Sequence, residues 1–191
     1  MIIKRMVIYQ IIARRCGLRF LHCSLNASSG SLTLTSASGS MTLGAGSVVD
    51  ASSDVAVTLT TGALSVGDIF MVTAGNDLSV SAVAGGVTMG NTGSLTAAVD
   101  LSIDGSSTVG NNVNMTAGTD LDFSSSIGNV VIGTSAILTA SSGKLEFAFP
   151  SGSVSINDTF ALSAGTNVDM NVPVGGVSMG IDGSASATAN F

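Results

Sequence analysis

Four aspartates, Asp54, Asp77, Asp100 and Asp120, recur at near-constant spacing, each just ahead of an alternating apolar segment. Stacked in one column at about 4.8 Å, neighbouring carboxylates would repel by roughly 0.9 kcal/mol in water. A fold tolerates that. Two chemistries suit such a column. Aspartate is favoured at bends because its side chain hydrogen-bonds nearby backbone. Carboxylate oxygens are also the hard ligands that Ca²⁺ takes, so Asp54, Asp77, Asp100 and Asp120 are candidate ligands for weak Ca²⁺ binding between repeats.

Hydrolysis by paired carboxylates is the other chemistry to weigh. Asp120 and Asp122 alternate along one segment, and Asp104 lies on the equivalent segment one repeat earlier. Together they would line a shallow acidic patch, with no sequence sign of a cleft to bury them. Lyase chemistry on a polysaccharide needs an Arg or Lys base. After Arg19 there is no Arg, one Lys (Lys144) and, past His22, no His. Lys144 stands beside Leu145 and Glu146 as a solvated edge charge. Cys16, His22 and Cys23 form a metal-like trio without a fourth ligand at zinc spacing, and read as incidental thiols and an imidazole. No catalytic residue and no cofactor beyond Ca²⁺ is expected.

These residues sit in a chain of two parts. Five of the six Lys and Arg (Lys4, Arg5, Arg14, Arg15, Arg19) crowd the start of the chain, whereas all twelve acids come later. So acidic a body repels phosphate backbones, which excludes nucleic acid as a partner. The best apolar run of the leader, Met6 to Ala13, is interrupted by Tyr9 and Gln10. It is a poor signal peptide and too short to span a bilayer. Residues 1–23 therefore stand apart as a basic leader, with three readings: a cap helix, a mis-assigned start, or a degenerate targeting segment. With 45% hydrophobic residues and only 9% charged, residues 24–191 are too apolar for a disordered Gly/Ser linker.

Self-comparison gives the architecture. Alternating triplets begin at Leu32, Val55, Leu78, Leu101, Leu121, Leu145 and Val168, evenly spaced but for one short interval between Leu101 and Leu121. A second column, Gly44, Gly67, Gly90, Gly110, Gly133, Asn157 and Gly180, is followed by alanine at the same offset every time, Ala51 through Ala187. Glycine there suits a corner that needs positive φ. The apolar residues between alternate with period two, which is strand periodicity. Three short strands per repeat cannot close a core alone, but stacked in parallel they can. The expected fold is all-β: a parallel β-helix, right-handed, of about seven coils of ~23 residues with three short strands each.

Short Leu-x-Val strands, Gly corners and Ser/Thr/Asn filling over residues 31–191 resemble the β-strand repeats of large bacterial surface adhesins, the filamentous-haemagglutinin-like exoproteins and autotransporter passenger stalks. The resemblance implies a secreted right-handed β-helix that holds binding regions away from the cell. It implies an extracellular or outer-membrane-associated location, and as partners host-cell or surface glycans and proteins, or further copies of the chain. The secretion-domain motifs and translocator barrel of a complete member are absent, which suggests a fragment or internal stalk piece. Gly75-Asn76-Asp77 and Gly118-Thr119-Asp120 also faintly resemble calcium-binding β-roll repeats, without their shorter period. The runner-up is a carbohydrate-binding or carbohydrate-processing β-helix. A third class, an ice-binding solenoid, would use Thr33/Thr35 and Ser79/Ser81, but that face decays through Ser102/Asp104 and Asp122/Ser124 to Asp169/Asn171. At the C-terminal end the last strand has the thinnest inward column. The chain is expected either to continue beyond Phe191 or to associate end to end.

Overall fold

In the computed structural model the backbone is described for residues 2–3, 9–13 and 18–188, and side chains for 19–188. All of the regular structure described is β. Three parallel sheets run the length of the molecule. The first holds nine strands, from Ile2–Ile3 and Ser24–Ala27 to Ser184–Ala187; the second holds eight, from Tyr9–Ala13 to Val168–Asn171; the third holds eight, from Leu18–Phe20 to Val177–Met179. The chain visits the sheets in rotation, so each strand pairs with its equivalent one coil away. This is a parallel β-solenoid of about seven three-strand coils over residues 24–188.

The register matches the sequence columns residue by residue. Leu78 stands between Val55 and Leu101, and the column continues through Leu121, Leu145 and Val168. Ala51, Ala74, Ala97, Ala117, Ala140, Ala164 and Ala187 pair in the first sheet. Alternation puts one set of side chains inward, and these inward columns are the core. Phe123 and Phe147 are fully buried and stack on successive coils with ring centroids 5.2 Å apart.

The leader departs from the cap-helix expectation where its backbone is described. Ile2–Ile3, Tyr9–Ala13 and Leu18–Phe20 are strands, paired in parallel with Ser24–Leu25, Leu32–Ser36 and Met41–Leu43. The sheets therefore continue across the boundary expected at Cys23. Among the described residues no helix is long and apolar enough to cross a membrane.

The short coil between Leu101 and Leu121 has a local cause. The connection from second to third sheet spans 82–86 in one coil and only 105–106 in the next. The strand that follows, Ser107–Val109, carries a buried serine inward where other coils carry Met, Leu or Val. Its hydroxyl donates to the Gly105 carbonyl at 2.8 Å, which satisfies it.

The corner glycines are a correction. None of Gly44, Gly67, Gly90, Gly110, Gly133 and Gly180 has positive φ, nor does Asn157. A Cβ on Gly67 would lie 2.5 Å from the Ala45 nitrogen and 2.9 Å from its Cα; at Gly90, Gly110 and Gly133 it would likewise strike the preceding coil's backbone. Close approach selects glycine here, not φ. Positive φ falls two positions later, in a column of His22, Gly46, Ile69, Thr92, Asn112, Ser135, Thr159 and Asp182, at +47° to +70°.

Candidate functional site: corner columns and an acidic face

Three corners join three sheets, and polar residues line each of them. At the first corner stand Asp54, Asp77, Asp100 and Asp120, in successive coils as expected. Each carboxylate accepts a backbone amide from the coil above: Asp77 N–H donates to Asp54 Oδ1 (3.4 Å), Asp100 to Asp77 (3.2 Å), Asp120 to Asp100 (3.1 Å) and Lys144 to Asp120 (2.8 Å). Asn76 Nδ2 and Ser31 Oγ also donate to Asp54, at 2.8 and 3.0 Å. The Asn76 and Ser31 side chains, then the Asp77 amide, hold the Asp54 carboxyl below its ordinary value of 3.8. The column is thus a ladder of charge-assisted hydrogen bonds running along the stack, which offsets the repulsion between neighbouring carboxylates.

That geometry bears on the Ca²⁺ ligands. Calcium takes about six to eight oxygens around one point, whereas each of these aspartates spends one oxygen on an amide. Among the described residues no three His, Cys, Asp or Glu side chains are gathered as a metal ion would require.

A second ladder was missed by sequence reasoning. Asp68 Oδ1 accepts the Asn91 amide (2.6 Å), Asn91 Oδ1 that of Asn111 (2.8 Å), Asn111 Oδ1 that of Thr134 (2.8 Å), and Asp158 Oδ1 that of Ile181 (2.9 Å). The signal was present in the sequence as an Asp or Asn directly after the glycine column. At the third corner Asn129 Oδ1 accepts both the amide and the hydroxyl of Ser153. These ladders satisfy corner amides that no sheet strand reaches.

The outer face of the second sheet gathers charge toward the C-terminal end. Pairing places Asp122, Glu146 and Asp169 outward in successive coils. Lys144 pairs with Glu146 and lies 3.8 Å from Asp122 Oδ1. That Asp122 oxygen is buried without a hydrogen-bond partner. Burial, the leading cause, raises the Asp122 pKa above 3.8; Lys144 opposes it, and Glu146, Asp120 and Asp100 add to it. Lys144, held by Glu146, is pushed up in turn, the reverse of what a general base needs.

Of the patch Asp104, Asp120 and Asp122 expected from sequence, only Asp104 and Asp122 lie on the sheet face. They occupy different columns of adjacent strands, Asp122 opposite Ser102 and Asp104 opposite Ser124. Asp120 belongs to the corner ladder. A cavity of about 20 Å³ lies not here but inside the core, among Val57, Leu64, Val80 and Met89. It has room for about one water and no polar wall to hold it.

His22 and Cys23 part company. His22 is exposed, its Nδ1 2.9 Å from the Ala45 carbonyl, whereas Cys23 is a buried free thiol 3.4 Å from the Ser47 hydroxyl. Cys16 lies outside the described residues.

The fold and these columns define the class as a parallel β-solenoid with laddered corners. Comparison with protein-family models, curated proteins and solved structures finds no match to this chain.

Proposed function

We propose that this chain is a structural or adhesive stalk segment of a secreted or cell-surface repeat protein, at the outside of a bacterial cell. One observation carries the reading: the coils are smooth. From Ser24 onward the connections between consecutive strands are uniformly short, the longest being 82–86, 125–129, 149–153 and 172–176. Catalytic sites are usually built on loops raised above a rigid scaffold, and coils this uniform leave little chain from which to raise one. The outward column of Thr73, Thr96, Thr116 and Thr139 in the first sheet is small and polar, which suits a spacer that must not stick to itself sideways. The acidic face of Asp104, Asp122, Glu146 and Asp169 favours the second reading, a β-helix that binds or processes carbohydrate.

An antibody against the folded chain should label intact cells of the source, and external protease should remove the label. Signal that survives the protease and needs permeabilised cells would overturn the surface reading. Release of reducing ends from a panel of acidic and neutral polysaccharides, lost in Asp122→Asn, would favour the second.

A further inference from the structure

The core is not filled evenly along the stack. Its cavity of about 20 Å³ lies where Val72 of the first sheet, Val57 and Val80 of the second and Val66 of the third converge. The sequence explains its place. In the second sheet the inward column runs Val57, Val80, Ile103, Phe123, Phe147, so its side chains grow from valine to a phenyl ring along the stack. The inward column of the first sheet opens the same way, with Val49 and Val72 ahead of Leu95, Met115 and Leu138. Strand pairing holds the backbone outline of successive coils alike, so the coil cannot contract around smaller side chains. Valine is also too stiff at χ1 to reach across the gap.

A second observation marks the same spot. Val57, Val66, Val72 and Val80 point inward yet keep 5, 6, 8 and 4% of their surface accessible, whereas Met115, Phe123, Leu138 and Phe147 keep none. No polar atom lines the void. A water there would forgo the two to four hydrogen bonds that hold buried water in place. An apolar guest forgoes nothing, and it restores the dispersion contacts that the bare valine methyls lack. The space is somewhat more than the roughly 10–15 Å³ that one water needs, which limits the guest to one small molecule. We infer that this dry cavity is a binding site for a single small apolar molecule of the class of xenon, methane or dioxygen. The inference is independent of the stalk reading and holds wherever the chain is located.

Methyl NMR of the full chain under increasing xenon pressure tests it. The methyl signals of Val57, Val66, Val72 and Val80 should shift and saturate, while those of Val109 and Val154, at filled levels of the core, hold still. Bound xenon should also raise the melting temperature, because the unfolded chain has no cavity to offer. Val80→Ile, which puts one more methyl into the void, should weaken xenon binding about tenfold or more and abolish the rise in melting temperature. Val57→Ala, which widens the void, should keep the saturable response and admit a larger guest such as benzene. Circular dichroism checks that both variants remain β-folded, and the saturable pattern in the parent chain decides the question even if one does not. Shifts that are absent, or that rise without saturating and spread over surface methyls, overturn the inference. So does a Val80→Ile chain that folds and binds xenon as the parent does, or a nuclear Overhauser contact between water and the Val57 and Val80 methyls.

Discussion

Gly67 and Ile69 stand two positions apart at one corner, and exchanging their roles separates two explanations of the glycine column. Ile69 has φ +56° and is 68% exposed. A β-branched residue in the left-handed region costs about 1–2 kcal/mol, and at that exposure its side chain recovers little by burial. Ile69→Gly removes that strain and adds about 0.5–1 kcal/mol of backbone entropy cost. The net expectation runs from neutral to about 1.5 kcal/mol more stable. Gly67→Ala runs the other way: φ there is not positive, but the new Cβ would meet the Ala45 backbone at 2.5 Å. Backbone cannot rotate aside as a side chain can, so the coil must shift, at a cost of about 1–3 kcal/mol. Urea unfolding followed by circular dichroism reads both, as displacements of the midpoint in opposite directions. If Gly67→Ala is as stable as the parent while Ile69→Gly is clearly weaker, then close approach is not what selects glycine and the reasoning fails.

Four further outcomes follow from the packing and the charges. Phe147→Ala, which empties a fully buried ring stacked on Phe123, should cost about 3–5 kcal/mol, whereas Ser155→Ala on an outward position should cost under about 0.5 kcal/mol; equal losses would refute the inward register. Asp122 has a raised folded pKa, so its contribution is full below 3.8 and is lost as pH rises through the folded value. Asp122→Asn should therefore be more stable than the parent near neutral pH and lose that advantage in acid. Asp54, with a lowered pKa, contributes stability above 3.8 that is lost as pH falls through its folded value; Asp54→Ala should be weaker at neutral pH, with the gap narrowing in acid, and pH-dependent melting curves of both variants check the two signs. Millimolar Ca²⁺ should leave the melting temperature unchanged if the column acts only as an amide ladder, in which one oxygen each of Asp77 and Asp100 accepts a backbone amide; a rise that disappears in Asp77→Asn with Asp100→Asn would assign the column to calcium.

The coil repeat, the strand positions and most inward columns are legible in the sequence because each strand pairs with its own equivalent. A near-constant coil length then writes spatial neighbours directly into the chain, and side-chain alternation assigns the faces. Leu78 beside Val55 and Leu101, and the alanine column from Ala51 to Ala187, need no coordinates to find. The sequence fails where the cause is contact between coils. Nothing local to Gly67 distinguishes a glycine required by positive φ from one required by the backbone beneath it, and nothing local to Ile69 announces a left-handed residue. Ser107 escaped the apolar pattern because its hydroxyl is satisfied by Gly105 only once the short corner has closed. The direction of the aspartate column was hidden for the same reason. Spacing aligned Asp54, Asp77, Asp100 and Asp120, but whether their carboxylates converge on an ion or climb from amide to amide depends on side-chain orientation at a corner, which only the stacked coils decide.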